Sequence, residues 1–152
     1  MSVEENIKLV RRAIDAFNTG DTSRVHEFIS DDYIDRDSYL SKLKGSEGFI
    51  DIIKNLRDAF PDLHYEEHDI ISQDDKVVFV GNVTGTHKGK LFFIPPTGNK
   101  ISYDAVHIYT IGKDRKMVEH KAVRDDLKFM MQLEVVKPAS EFEPYIKGWK
   151  GT

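Results

Sequence analysis

Cysteine is absent from all 152 residues. That excludes disulfides, thiolate-held metals and thiol nucleophiles. No apolar stretch reaches the roughly 20 residues that span a bilayer. Basic residues are not in excess either. The 22 Lys and Arg stand against 26 Asp and Glu, a net charge of −4. With no basic stripe, nucleic acid is not an expected partner. The acidic surplus is too small to keep the chain unfolded. There is no internal repeat and no low-complexity segment. The opening "MSVEENIKLVRR" is charged and helix-forming rather than an apolar leader, so a cytoplasmic protein is expected. Metal-ligand spacing is missing too. His64 and His68 stand four apart, but in a β-rich stretch that spacing makes no helical metal pair. "GNVTGTHKGK" has the glycines of a phosphate loop without its strand-to-helix context. No metal site is expected from these motifs.

What is present suits one soluble domain. The chain is 39% hydrophobic and 32% charged, and its length fits a single core. Ile7, Val10, Ile14 and Phe17 recur at helical spacing, and Gly20 ends that helix. A short second helix is expected to bury Val25, Phe28 and Ile29. "SDDYIDRDSY" reads as irregular or as a short strand. Phe49, Ile53, Leu56 and Phe60 mark another helix, opened near Ser46 and closed by Pro61. Then "LHYEEHDIIS", "KVVFVGNVTGTH", "KISYDAVHIYTI" and "KMVEHKAVR" are β-rich runs in meander order. A last short helix runs from about Asp126 through Leu133. Residues 1–136 form one domain, and 137–152 an irregular tail bearing Phe142, Tyr145 and Trp149. Helices first and a meander afterwards predict α+β: a cone-shaped, curved antiparallel sheet packed on the N-terminal helices. Such a cone encloses a small-molecule pocket.

The hairpin "DAVHIYTIGKDRKMVEHKAVRD" holds the groups that can move protons. A turn centred on Asp114 sets Ile111 against Met117, Tyr109 against Glu119 and His107 against Lys121. His107, Tyr109, Glu119, Lys121 and Asp125 then share one face. A slip of one residue pairs His107 with Ala122 and exchanges the partners. Asp126 is expected to cap the last helix, leaving Asp125 to point into the sheet. His107 and His120 each read either as a core histidine or as a proton-transfer group. His87, in "GTHKG", reads as exposed beside a turn. Val78, Val80, Ile108 and Val118 share the other parity. They predict a sheet face that pairs two copies, helped by Phe142 and Trp149 in the tail.

Four stretches in order resemble the SnoaL-like polyketide cyclases, or ester cyclase group, of the nuclear-transport-factor-2-like superfamily. They are "AFNTGD", "AFPDLHYEEHDIISQDDKVVFVGNVTGTHKG", "IPPTGNKISYDAVHIYTI" and "MVEHKAVRDDLKFMMQL". The resemblance implies the same cystatin-like α+β cone and dimers or tetramers. It implies an intramolecular aldol condensation of a polyketide ester, without cofactor or metal. By position it makes Asp125 the acid/base and His107 its assistant. Substrate-binding candidates are Phe17, Arg36, Phe49, Ile53, His87, Phe93, Glu119, His120 and Lys121. Three positions depart from the family pattern: Lys121 stands where relatives commonly carry Trp, Arg36 where many carry His, and Glu134 where Gly is usual. Inward-facing Lys121 and Arg36 would favour an anionic ligand over a polycyclic aromatic one. Other readings are a non-catalytic ligand-binding domain, a related isomerase or hydrolase, and a structural protein whose sheet serves assembly.

Overall fold

The first helix begins where a capping box allows it. In the computed structural model, which describes residues 2–137, Ser2 Oγ accepts from Glu5 N–H and Glu5 Oε2 accepts from Ser2 N–H. These bonds satisfy donors that a helix start leaves open. Helix α1 (Val3–Thr19) ends at Gly20. There φ is +75° and the amide reaches Ala16 O, a left-handed cap that suits glycine. Val10, Ala13, Ile14 and Phe17 form its buried face.

The expected second helix is a single 3₁₀ turn, Val25–Glu27. Val25, Phe28 and Ile29 are buried as expected, but the chain passes directly into strand β1 (Ile29–Asp35). Helix α2 (Gly45–Ala59) follows and buries Phe49, Ile52 and Ile53. Phe49 makes edge contacts with Phe17, Phe28 and Tyr33 at ring separations of 5.3, 6.2 and 5.7 Å. Burying such a ring is worth roughly 1.5–3 kcal/mol. Arg57 donates to the carbonyls of Phe17, Asn18, Pro61 and Leu63, tying the ends of both helices to the next strand.

Strands β2 (His64–Gln73), β3 (Lys76–Thr86), β4 (Lys100–Ile111) and β5 (Met117–Arg124) form the antiparallel meander. The sheet order is β1-β5-β4-β3-β2, and β1 runs parallel to β5. The sheet is therefore mixed, not wholly antiparallel. A parallel edge pair is joined by no hairpin, so no turn signal announces it. Val77, Phe79 and Val83 of β3 and Ile101, Tyr103 and Tyr109 of β4 lie on the buried face. At Gly81 a Cβ would lie 2.3 Å from Glu66 O and 2.7 Å from the Phe79 ring, so the strands approach there only because the residue is glycine. Helix α3 (Asp126–Gln132) closes the described chain, with Phe129 buried against Tyr103. Phe142, Tyr145 and Trp149 lie outside the described residues.

Candidate active site

The β4–β5 ladder decides which side chains enter the cone. Ile111 pairs with Met117, as a turn on Asp114 requires. The register then shifts: Thr110 faces Glu119, Tyr109 faces His120 and His107 faces Ala122. Val118 is the extra residue of a bulge. Because strand side chains alternate, one extra residue reverses the facing of everything after it. Met117, His120 and Arg124 therefore turn inward with Tyr103, His107 and Tyr109, while Glu119 and Lys121 turn away.

The concave face encloses a cavity of about 340 Å³, at the small end of the range for ligand sites. Phe17 of α1, Phe49, Ile52 and Leu56 of α2, and Phe129 and Met130 of α3 form its apolar wall. Tyr33, Tyr65, Tyr103 and Tyr109 line the sheet side. Among the described residues their hydroxyls donate no hydrogen bond to the protein. Burial pushes all four phenols up, so they stay protonated donors.

The polar groups converge on one end. His107 Nδ1 lies 2.9 Å from His120 Nε2, with both rings buried and stacked at 5.2 Å. His120 Nδ1 lies 3.1 Å from Asp35 Oδ1, close enough for charge attraction but off the line of a hydrogen bond. The β1–β5 register sets Asp35 directly beside His120. Burial, with His120 and Arg124 nearby, holds His107 well below the usual imidazole range, so it is neutral near pH 7. Its Nε2 is buried without a partner. Arg124 Nε sits 3.3 Å from Asp126 Oδ1, and Arg124 Nη2 donates to Asp37 O at 3.4 Å. Burial works against the charge of Arg124, but Asp126, with Tyr103 and Tyr65, outweighs it and raises its pKa. Asp37 Oδ2 accepts from Ala122 N–H at 2.7 Å. Among the described residues no group of three or more His, Asp or Glu is placed to hold a metal ion.

Of the residues singled out from sequence, the cavity brings together Phe17, Phe49, His107 and His120. Ile53 is buried behind the wall rather than on it. Arg36 and Glu119 pair with each other at 2.7 Å outside the cavity, because β1 alternation points Tyr33 and Asp35 inward and Arg36 outward. Lys121 is exposed. The inward cation is Arg124 instead. Phe93 is 79% exposed at the tip of the tight Leu91–Ile94 turn, and its neighbour Phe92 lines the cavity. His87 is fully buried rather than exposed. It accepts from Thr97 N–H at 3.2 Å and packs on Phe60, away from the cavity. The two aspartates exchange their expected roles. Asp125 is the cap of α3, accepting from Lys128 N–H at 3.1 Å, and it is exposed. Asp126, one residue on, lines the cavity. Tyr109 was expected on the His107 face, but Asp35, Arg124, Tyr33, Tyr65 and Tyr103 were not anticipated. The shared parity of Tyr103, His107 and Tyr109 in "YDAVHIY" was a usable signal for Tyr103.

The family model for SnoaL-like polyketide cyclases matches residues 7–133. The aklanonic acid methyl ester cyclase DnrD of Streptomyces peucetius is 32% identical over 147 residues, spanning 95% of this chain and 97% of its own. The chain belongs to the SnoaL-like polyketide cyclase family. The nogalonic acid methyl ester cyclase of Streptomyces nogalater is 29% identical over 139 residues, covering 90% of this chain and 98% of that one. The solved structure of TsrD from Streptomyces laurentii superposes with a TM-score of 0.81 at 21% identity, covering 90% and 99% of the two chains. That likeness speaks to the fold alone. In this SnoaL-like chain, the buried imidazoles of the cavity are His107 and His120, and the aspartate that the family resemblance favoured is a helix cap.

Proposed function

We propose that this chain is a cofactor-independent cyclase that closes a ring in a polyketide ester by intramolecular aldol addition. One observation carries the reading: a neutral, buried His107, joined to His120, forms part of an aromatic-lined cavity. His107 Nε2 takes a proton from a carbon flanked by carbonyls, and the electron pair delocalises into an enolate. That carbon attacks a second carbonyl of the same molecule, and a C–C bond forms as the C=O π bond breaks. The new alkoxide takes the proton back from the imidazolium, so no oxidant or co-reactant is needed. Nε2 is shut off from water, and substrate reaches it by shifting the Tyr65 or Tyr109 ring packed beside it. Tyrosine hydroxyls and Arg124 supply donors for the developing oxyanions. The apolar wall holds reacting carbons close, the condition under which an intramolecular step is fast.

The protein acts in the cytoplasm as a dimer in this reading. Support for the dimer is the outer sheet face, where Val78 pairs with Ile108 and Val80 with Val106. No helix among the described residues is long and apolar enough to cross a membrane. The direct test offers purified protein the methyl esters of aklanonic and nogalonic acids, the compounds in its relatives' names. Aldol addition neither gains nor loses atoms, so the product is an isomer of equal mass with a shifted retention time. Conversion faster than in buffer is expected. Binding of both esters with no conversion would overturn the reading in favour of a ligand-binding domain.

A further inference from the structure

The geometry points to Asp35 as a positioning residue that acts through His120 to fix which nitrogen of His107 is bare. This deepens the cyclase reading and rests on it for its kinetic consequence. The argument is proton counting along a chain of contacts. One proton lies between His107 Nδ1 and His120 Nε2, which are 2.9 Å apart. If His120 carries it as its single proton, a bare Nδ1 lone pair faces the Asp35 carboxylate 3.1 Å away. That places two electron-rich atoms against each other at the buried end of the cavity. If His107 carries it, His120 holds its proton on Nδ1, and the positive end of that N–H lies on the side of the Asp35 carboxylate, an electrostatic contact rather than an aligned hydrogen bond. Electrostatics selects the second arrangement. It leaves His107 Nε2 as the bare atom, and Nε2 has no protein partner. The orphaned nitrogen is thereby a poised proton acceptor rather than an unpaired donor.

Nothing else around the pair sets this direction. Tyr33 of β1, Tyr65 of β2 and Tyr109 of β4 are protonated phenols on the same cavity, and Arg124 of β5 is a cation. Tyr103 of β4 is a fourth phenol, and the helices contribute Phe17 and Phe49, which do not titrate, and Asp126 at the start of α3, which is paired with Arg124, while Asp37 is turned to the Ala122 amide. Asp35 is therefore the anion that touches the pair. It is held in turn by Asp37 N–H, which donates to Asp35 Oδ1 at 3.0 Å. When His107 takes a proton, the charge is shared toward Asp35 along the same contacts. The arrangement follows the logic of a buried carboxylate orienting a catalytic imidazole, with a second imidazole between.

Long-range proton–nitrogen NMR of histidine-labelled protein reads each tautomer directly. In the unaltered protein we expect protonated Nδ1 on both His107 and His120, and a bare His107 Nε2. Asp35→Ala should let the reversed chain appear, with a proton on His107 Nε2, and Asp35→Glu should restore the original state. Asp35→Asn keeps an acceptor for Asp37 N–H but removes the charge. It should lower kcat by about 100-fold or more while leaving KM within about threefold. It should also move the acid limb of the kcat/KM profile to lower pH, which a merely structural residue would not do. A His107 Nε2 proton in the unaltered protein would overturn the inference even if no variant folds. So would a tautomer that ignores Asp35→Ala, or an Asp35→Asn enzyme with unchanged kcat and pH profile. Failure of the unaltered protein to cyclise any ester would sink the cyclase reading instead, and the tautomer experiment would still judge Asp35.

Discussion

Two acidic pairs flank the cavity, and they behave differently. Asp35 and Asp37 leave β1 beside β5. Asp125 and Asp126 follow the end of β5 itself. Asp35 is half-buried against His120, and Asp37 receives the Ala122 amide. Asp125 is taken by the start of α3, and the Asp126 side chain is 58% exposed beside Arg124. All four are the same residue type near the same pocket. What separates them is the backbone each one follows. A parallel edge strand delivers its inward residues onto the neighbouring strand's side chains and amides. A helix start has free N–H groups that claim the first available carboxylate. The acid that matters to a site need not be the one nearest the end of the last strand.

The sharpest way to test that contrast is to remove the group that Asp35 contacts through His120 and the second pair does not. His107→Gln should keep the fold and lower turnover by about 10²–10⁴-fold, the usual scale for a positioned acid/base. The pH profile should agree in sign. Burial depresses the His107 pKa below 6.5, and the neutral form is the base. Activity is therefore full near pH 7 and is lost as pH falls through that depressed value. Stability follows the same direction. Between 6.5 and the depressed value the unfolded chain binds a proton that the folded chain refuses, so stability drops as pH falls through that window. His87 is depressed by burial too and adds to the stability loss without touching activity. Urea unfolding at pH 7 and pH 5.5, with His107→Gln and His87→Gln, separates the two contributions.

Asp37→Ala comes next in size. It leaves the Ala122 N–H without its carboxylate acceptor, at a cost of about 1.5 kcal/mol, the low end for a charged hydrogen bond because Asp37 is only half-buried. Thermal unfolding measures this. Turnover should fall less than in His107→Gln, since the histidine pair stays in place. A His107→Gln enzyme as active as the parent, or an Asp37→Ala protein of unchanged stability, would dissolve the contrast between the two pairs.

The sequence carried the frame of this molecule better than its site. The helical periodicities around Phe17 and Phe49 and the four β-rich runs led directly to a cone with helices inside. The parallel edge was hidden, because "SDDYIDRDSY" shows no alternation and no hairpin joins β1 to β5. On β5 the difference has one physical origin. The bulge at Val118, which no Gly or Pro marks, selects the slipped register that the sequence also allowed, with His107 against Ala122, and exchanges Glu119 and Lys121 for His120 and Arg124. His107 lies on β4, upstream of the bulge, and lines the cavity. Phe93 and Phe92 differ by one position for a related reason: the tight turn, with Phe92 at φ +52°, sets which ring faces the cavity. The cap was missed by one residue, the ordinary uncertainty of a helix boundary.

Asp125 tests that boundary. Asp125→Ala removes the acceptor for Lys128 N–H and should cost about 1 kcal/mol, whereas Asp125→Asn should cost only a few tenths, since Asn caps nearly as well. Both should turn over substrate within about twofold of the parent. An Asp125→Asn protein that folds normally but has lost turnover would restore the family-position aspartate as the base and remove His107 from that role.

The smallest effect is expected at Asp126. Its partner Arg124 is 23% exposed and Asp126 itself 58%, so the pair is screened, and Asp126→Asn should change stability by less than about 0.5 kcal/mol. The informative readout is substrate affinity. Asp126 now shares the Arg124 charge, and neutralising it frees the guanidinium for a substrate carbonyl or carboxylate. KM should fall, by at most about fivefold, which corresponds to the ~1 kcal/mol ceiling for an exposed pair. The fall should be larger for a free acid than for its methyl ester, because a full negative charge gains more from an unshared cation. Equal changes for acid and ester would show that Arg124 does not meet the substrate, and the oxyanion role would pass to the tyrosine hydroxyls alone.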